Sequence, residues 1–305
     1  MNFRSIFGSL HTWPAALIIT FGCAGASAAT SNVDQHQAAD PAGTVEIINV
    51  AGSVQVTGWD KAEVAVSGTV GEKVDHVELT VSGKHTTVRV VLPKGSSWGG
   101  DGAAHLTIQV PRGSAIEASL VSADLTVSGV TGAQQLRTVS GDITADGGSA
   151  ARVDTISGKV QLGVADGAEA NVKSISGDLT VKGAGGEVSI ETVSGDGRLT
   201  LGELKSFHLE TVSGDFRISA RLAAAAVFNA ESVSGDVNVK FGGTPGVDFN
   251  LESLGGRLKD CSGHQASEPD HGPGSRLAFT AGDGKSKVRI DSKSGNLTVC
   301  VGQND

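Results

Sequence analysis

The sequence predicts an all-β protein: a parallel β-solenoid of about 18–21-residue repeats with an N-terminal β cap. Three observations lead to this prediction. A ten-residue unit recurs through most of the chain, and a glycine at its centre returns at a near-constant interval. Apolar residues alternate with polar ones on both sides of that glycine, which is the periodicity of β-strands.

The repeat is clearest at residues 209–218, with the sequence LETVSGDFRI. Its relatives are LRTVSGDITA (136–145), VDTISGKVQL (153–162), VKSISGDLTV (172–181), IETVSGDGRL (190–199), AESVSGDVNV (230–239), LESLGGRLKD (251–260) and IDSKSGNLTV (290–299), with weaker forms ASLVSADLTV (118–127) and IINVAGSVQV (47–56). A period near 20 residues indicates stacked repeats, because one unit is too small to bury a core alone.

The central glycines are predicted to be structural corners. They are Gly141, Gly158, Gly177, Gly195, Gly214, Gly235, Gly256 and Gly295, at intervals of 17, 19, 18, 19, 21 and 21 and then 39 residues. Apolar residues lie five positions before each glycine and two after it, with Gly197 the exception. These positions cannot share one face of a flat strand, so a bend at the Ser-Gly pair is expected, where glycine tolerates unusual dihedral angles.

Stacking of like repeats predicts parallel rungs about 4.8 Å apart. The apolar positions five before and two after each glycine should point inward, as Leu209 and Phe216 illustrate. Arg217 should point outward. The alternative architecture is an antiparallel sandwich of hairpins, which the near-identity of successive repeats disfavours.

The composition limits the possible partners. The chain has 305 residues, of which 43 are Gly and none Tyr, and a formal net charge of −9. No basic footprint for nucleic acid is present. An anionic membrane surface would repel the chain. We therefore expect no nucleic-acid partner.

The N-terminus predicts export. Residues 1–28 read as a signal peptide, with Arg4 before an apolar run and a small-x-small cleavage site at 26–28. The alternative is a lipoprotein signal with Cys23 as the lipid-attachment residue. No later apolar run is long enough for a transmembrane span. Residues 29–43 are polar and lack periodicity, which predicts a flexible linker.

The remaining chain divides into a cap and a repeat domain. Residues 44–120 alternate as strands without the tight period, and we interpret them as the N-terminal β cap. Its loop contains Trp98, which either packs on the cap or contacts a ligand. Residues 121–305 form the predicted β-solenoid. An insertion at 259–287 is rich in Gly, Pro, Ser and acidic residues.

These motifs resemble those of the DUF4097 family, bacterial β-strand repeat proteins that carry the description of adhesins. The resemblance rests on the serial [ST]-[VI]-S-G-D units and on three segments, GSVQVTGWD, LTIQVPRGSAIEASLVSADLTV and GPGSRLAFTAGDGKSKVRIDSKSGNLTVC. It covers about residues 44–305. It implies a β-repeat fold and an envelope location, and it supplies no catalytic residue.

Removal of the predicted signal peptide would leave two cysteines, Cys261 and Cys300. They are the candidate disulfide, because two cysteines in an exported chain favour a bridge. We predict no catalytic, cofactor-binding or metal-binding residue. A metal site in the insertion is conceivable because His264 and His271 flank Glu268 and Asp270, but their spacing matches no zinc pattern.

The residue after the central glycine is often aspartate, and the residue before it is usually serine. Asp142, Asp178, Asp196, Asp215 and Asp236 should form a column that Lys159 interrupts. We interpret the carboxylates as acceptors for the corner backbone rather than calcium ligands. The serines at 140, 157, 176, 194, 213 and 234 should form a hydrogen-bonding ladder rather than a set of nucleophiles.

The expected function is that of an exported, non-enzymatic, adhesin-like binding or scaffold protein of the cell envelope. We expect it in the periplasm or at the cell surface, with an unidentified envelope protein or glycan as its partner. Binding is expected through a flat face of stacked polar side chains. The alternatives are a carbohydrate-active β-helix enzyme, acting on an envelope or extracellular polysaccharide, and a self-assembling envelope scaffold.

Overall fold

The computed structural model describes residues 30–93, 102–243, 246–267 and 273–302. These residues contain 22 strands and no helix, so none of them forms a helix that could cross a membrane. The strands are β1 (Thr30–Ala38), β2 (Thr44–Trp59), β3 (Glu63–Gly71), β4 (His76–Ser82), β5 (His85–Val91), β6 (Ala104–Pro111), β7 (Ala115–Val130), β8 (Gln134–Ser140), β9 (Ile143–Gly147), β10 (Ala150–Ser157), β11 (Val160–Gly163), β12 (Glu169–Ser176), β13 (Leu179–Lys182), β14 (Gly186–Ser194), β15 (Gly197–Ser213), β16 (Phe216–Ser234), β17 (Val237–Phe241), β18 (Val247–Ser253), β19 (Leu258–Asp260), β20 (Ser275–Ala281), β21 (Ser286–Ser294) and β22 (Leu297–Val301).

The repeats stack in parallel as two layers that meet at the corner glycines. Strand segments before each glycine form the A layer, in the order β7, β8, β10, β12, β14, β15, β16, β21, β18. Segments after each glycine form the B layer, in the order β7, β9, β11, β13, β15, β16, β17, β22, β19. This large, mostly parallel sheet confirms the all-β, solenoid-like prediction.

Like positions pack on like positions throughout the stack. Val153 pairs with Leu136 on one side and with Val172 on the other, and all three are fully buried. The rungs bury residues five and three before the glycine in the A layer and residues two and four after it in the B layer, except that Leu258 of the terminal rung is only partly buried. The shared core therefore lies between the two layers. This agrees with the prediction that the apolar positions before and after the glycine cannot share one face of a flat strand.

Buried hydroxyls stabilise six of the corners. In the rung of Gly158, Thr155 is buried and its Oγ1 donates a hydrogen bond to the carbonyl oxygen of Ser157, at 3.1 Å. The same bond is made in five other rungs, by Thr138, Ser174, Thr192, Thr211 and Ser232. The hydroxyl three residues before the glycine thus donates a hydrogen bond to a backbone carbonyl oxygen of the same corner. This bond explains why the position holds Thr or Ser.

The corner glycines lie in one column along the stack. At Gly214, φ is 133°, and a Cβ atom there would overlap the carbonyl oxygen of Gly195 in the preceding rung. Gly256 and Gly295 stack in the same column without a positive φ. The close approach of neighbouring backbones, rather than the dihedral angle alone, therefore requires glycine here.

The last repeat in the sequence is not the last rung in space. Strands β21 and β22 lie between the rung formed by β16 and β17 and the rung formed by β18 and β19. Gly295, the last corner glycine in the sequence, therefore lies inside the stack. Asn296 fits this interior place because its amide donates to Asp236 and its Oδ1 accepts from the backbone N–H of Arg257.

The insertion at 259–287 contributes a strand to the terminal rung. Its β20 pairs antiparallel with β18, so the insertion is not only a loop. Residues 268–272, which include Glu268, Asp270 and His271, lie outside the described residues.

The N-terminal region is part of the same stack. Strand β2 pairs in parallel with β7 along both layers, and on its other edge with β5 and β6. The predicted cap over residues 44–120 is therefore not seen as a separate unit. Among the described strands of this region, β1, β3 and β4 make the antiparallel pairings.

Strand β1 corrects the prediction of a flexible linker over residues 29–43. It pairs antiparallel with β3 from Thr30 to Ala38, and Gln35 Nε2 donates to the carbonyl oxygen of Val77 at 2.9 Å. Its polar composition concealed the strand, because an edge strand with solvent-exposed faces needs few apolar residues. The signal-peptide residues, Cys23 and Trp98 lie outside the described residues.

A chain of rings fills the core at the C-terminal end. Phe207 stacks on Phe228, which contacts Phe241 edge-to-face at a centroid distance of 5.2 Å. The series continues through Phe249 to Phe279, which stacks on His264. These rings pack successive rungs together where the order of the rungs departs from the order of the sequence.

A disulfide joins Cys261 to Cys300, with their Cα atoms 4.9 Å apart. Cys261 directly follows β19, Cys300 lies in β22, and the Cys261 N–H donates to the carbonyl oxygen of Val299. The bridge therefore fastens the terminal rung to the rung inside it.

Removing this bridge should loosen the end of the stack. For a separation of 39 residues, the chain-entropy model gives a stabilisation of about 4 kcal/mol. We expect Cys261→Ser with Cys300→Ser to lose up to that amount in chemical denaturation. Hydrogen exchange should show lost protection in β18–β20, while rungs from Gly158 to Gly214 keep theirs. Uniform loss across the stack, or free thiols in the native protein, would contradict this role.

Candidate binding face

The outward side chains of the A layer form a regular face, which we call the outer A face. It has three columns, which lie six, four and two residues before the corner glycines. The first is polar and the second is charged. The third is apolar and consists, in stacking order, of Val139, Ile156, Ile175, Val193, Val212 and Val233, followed by Lys293 and Leu254.

The apolar column is solvent-exposed. Its six consecutive members from Val139 to Val233 are each between 40% and 50% exposed. They are separated by about 4.8 Å per rung, so the column runs for about 24 Å. Contiguous exposed apolar surface is characteristic of interaction sites. This differs from the expected face of polar side chains, because the third column carries β-branched residues.

The charged column lies beside the apolar one. Lys173, Glu191, Glu210 and Glu231 pair in register on successive strands. The Lys173 ammonium lies 2.7 Å from Glu191, and His208 lies 3.1 Å from Glu210. Carboxylates therefore occupy three consecutive rungs, each two residues before an exposed valine.

A groove runs along these two columns. Its volume is about 970 Å³, and its lining extends from Asp154 to the residues around Leu254. The segment Pro273–Arg276 stands at its C-terminal end. There Arg276 pairs with Glu252, and the hydrogen bond and charge of Asp291 raise the pKa of Arg289. The groove is thus acidic and apolar in its middle, whereas at this end Glu252 and Asp291 are paired with Arg276 and Arg289.

The Asp and Ser columns serve the corner backbone. The Asp215 carboxylate accepts from the backbone N–H of Asp236 at 2.9 Å, and Asp196 accepts from that of Asp215. Ser234 Oγ donates to the carbonyl oxygen of Val212 in the preceding rung. Similar bonds recur along the stack at Asp124, Asp142, Asp178, Ser140, Ser157, Ser176 and Ser194. Backbone bonding between rungs therefore accounts for both columns.

Asp260 is the centre of the turn that follows β19. Its side chain is only 2% exposed and accepts hydrogen bonds from the backbone N–H groups of Ser262, Gly263 and His264. It also contacts His264 Nδ1 at 2.6 Å. Burial raises the pKa of Asp260, but the bonds from His264 and the backbone outweigh burial and hold it below its ordinary value. Among described residues, no three His, Cys, Asp or Glu side chains converge as metal ligands.

The lowered pKa of Asp260 predicts acid sensitivity. Its contribution to stability should be complete at neutral pH and should be lost as the pH falls below about 4, the ordinary value for aspartate. We expect Asp260→Asn to be destabilised by roughly 1–3 kcal/mol at pH 7. The difference from wild type should narrow by pH 3 in urea denaturation. A deficit that stays constant from pH 7 to pH 3 would contradict this assignment.

The apolar column has a signal in the sequence. Every repeat from 136 to 239 carries Val or Ile two residues before its glycine, at a position out of phase with the buried ones. The strand alternation therefore places these residues outside. The regular recurrence of Val or Ile can be seen in the sequence. It does not by itself indicate a binding face, because β-branched residues are favoured in strands by propensity alone.

A family model described as Toastrack DUF4097 matches residues 40–300. The chain belongs to this family. The match spans both layers of the stack and confirms the resemblance seen in the repeat motifs. No curated protein matches this Toastrack chain.

Several solved structures are similar to this Toastrack chain at low identity. A "putative adhesin" from Bacteroides fragilis is 13% identical, with 88% of this chain and 97% of that one covered and a TM-score of 0.42. A "putative cell adhesion protein" from Clostridium sporogenes is 11% identical, with 90% and 100% covered and a TM-score of 0.22. A "putative lipid binding protein" from Parabacteroides distasonis is 11% identical, with 89% and 97% covered and a TM-score of 0.28.

Proposed function

We propose that this Toastrack chain is an exported, non-enzymatic binding or scaffold protein of the cell envelope. Its contact surface is the outer A face. The observation that carries this proposal is the exposed apolar column from Val139 to Val233, which has one member on each of six consecutive rungs. Strand propensity favours Val or Ile at single outward positions, but their recurrence on six consecutive rungs makes a contiguous exposed apolar strip, which is characteristic of an interaction surface.

Export is supported by two independent features. The N-terminal segment has the pattern of a signal peptide. The Cys261–Cys300 bridge is a feature of oxidising compartments. Together they favour the periplasm or the cell surface.

The regularity of the outer A face supports binding rather than catalysis. Its carboxylates form an open column, and Glu210 remains 57% exposed. Glu191 is engaged by Lys173. A glycoside hydrolase would instead need two carboxyl groups in different environments, with one kept protonated as the acid.

Capture from envelope fractions tests the proposal. The mature chain is immobilised and exposed separately to envelope proteins, glycans and lipids. Val193→Ser with Val212→Ser should lower the retained component at least about tenfold. The matched control, Arg198→Ser with Arg217→Ser, changes outward residues of the B layer and should retain it. Equal retention by both double variants, or no retention by wild type, would overturn the proposal.

A further inference from the structure

The middle of the outer A face carries three glutamates on neighbouring strands, so their negative charges lie close together. Glu191 pairs in register with Glu210, and Glu210 with Glu231, so their carboxylates follow one another at about 4.8 Å. Like charges directly opposite one another on neighbouring strands are destabilising. The arrangement therefore has an energetic cost in the free protein.

Nearby cations only partly offset this charge. Lys173 neutralises Glu191, whereas the contact of Glu210 is with His208, which is cationic only when protonated. Glu231 forms no ion pair within 4 Å among the described residues, and the cation that acts on it, Arg289, is bound to Asp291. A ligand that brings positive charge would relieve this repulsion.

The same rungs expose apolar surface next to the acids. Val193, Val212 and Val233 each follow one of the three glutamates by two residues, and each is at least 40% exposed. A complementary ligand must therefore present an apolar stripe and a cationic stripe side by side. The glutamates would repel an anionic amphiphile, and a wholly polar cation would leave the valines exposed to water.

The spacing of the rungs favours a helix as the ligand. From Ile175 to Val233 there are three intervals of about 4.8 Å, or about 14 Å in all. Three turns of an α-helix rise about 16 Å, so a helix aligned with the column stays within about 2 Å of register. Alternate residues of a β-strand would advance about 20 Å over three steps and fall out of register.

We propose that the outer A face binds a basic amphipathic α-helix of a partner polypeptide. Its apolar side lies on Ile175, Val193, Val212 and Val233, and its Lys or Arg side chains contact Glu191, Glu210 and Glu231. Beyond Glu231 the carboxylates of Asp291 and Glu252 are paired with Arg289 and Arg276, which limits the acidic contact to two or three helical turns. This inference rests on the proposed function and specifies the class of partner.

Model peptides test the helix. The probe is a 14-residue peptide of Leu and Lys with helical periodicity, and titration calorimetry with the full mature chain measures its Kd. One comparison peptide has Glu in place of Lys, and another has the same composition in strict alternation. Dodecyl phosphate serves as the anionic amphiphile. We expect the helical Leu-Lys peptide to bind at least about tenfold more tightly than the other three probes.

Two double variants locate the contact. Glu210→Gln with Glu231→Gln, and separately Val193→Ser with Val212→Ser, should each weaken the Leu-Lys peptide at least about tenfold. Glu78→Gln with Glu203→Gln removes two exposed carboxylates elsewhere and should change Kd less than about twofold. Thermal melts of each variant verify folding.

Two results would overturn the proposal of a helical partner even if the Leu-Lys peptide binds. One is similar weakening by all three double variants, which would mean general attraction to an acidic protein. The other is tighter binding of the alternating peptide, the Glu peptide or dodecyl phosphate. If the Leu-Lys peptide fails while envelope capture still depends on Val193 and Val212, the helix is wrong and the proposed binding function stands. If both fail, the proposed function falls as well.

Discussion

Gly214→Val is expected to destabilise the protein by roughly 4 kcal/mol or more, the largest effect of any change at its corner. The reason is twofold. At φ of 133° a β-branched residue is strained, and its Cβ atom would overlap the carbonyl oxygen of Gly195. A backbone atom cannot move aside without opening the ladder between the two rungs.

The control for this change is its neighbour. Ser213→Ala removes a half-buried hydroxyl from the same corner and should cost about 1 kcal/mol or less. Urea denaturation of both variants gives the comparison. Should Gly214→Val prove neutral, a plain strand would have to run through the Ser-Gly pair.

Phe216→Ala should cost roughly 3–5 kcal/mol, because the ring is fully buried between neighbouring rungs. Arg217→Ala, an exposed change one residue away, should stay within about 0.5 kcal/mol. Equal effects of the two substitutions would mean that the inward and outward positions are exchanged.

Phe216 also explains the exception at Gly197. A Cβ atom at Gly197 would overlap the Phe216 ring. The absence of a side chain at Gly197 therefore leaves room for the large ring of Phe216 in the next rung. Gly197→Ala should therefore be destabilising in the wild type and nearly neutral with Phe216→Ala. A double-mutant cycle measures this coupling, which should exceed about 1 kcal/mol. Additive effects would contradict the packing.

The rung itself could be predicted from the sequence, and the order of the rungs at the ends could not. Alternation and the glycine interval define the buried positions, as Val153 and Leu162 illustrate. Every rung carries the same pattern, however, so the pattern cannot specify which rung lies next to which. The placement of Gly295 between Gly235 and Gly256 depends on particular contacts, such as those of Asn296.

The terminal rung does carry a signal of its position. Arg257 stands where most interior rungs have Asp, and among the described residues no further parallel rung follows that would need a carboxylate from this position. Terminal repeats are commonly atypical for this reason. Strand β1 carried no such signal, because backbone pairing with β3 holds a segment whose side chains are mostly exposed.

The outward position of the residues on the outer A face could be predicted from the sequence, and the groove along that face could not. Strand alternation alone puts Val212 outside and Thr211 inside. The groove beside Val212 depends on how the two layers bend at the corner and on where Pro273–Arg276 returns to the stack. The ten-residue repeat predicts the bend, but it does not encode the return of Pro273–Arg276.

Site-specific photo-crosslinking in intact cells tests the central claim most directly. A photoreactive residue is placed in turn at Ile175, Val193 and Val212 on the outer A face, and at Arg198 and Arg217 on the outer B layer. We expect the three A-face positions to give one and the same adduct, and the two arginine positions to give none. The adduct should be lost when Glu210→Gln and Glu231→Gln are introduced together. The same adduct from Arg198 or Arg217, or no adduct from the A face, would contradict the central claim.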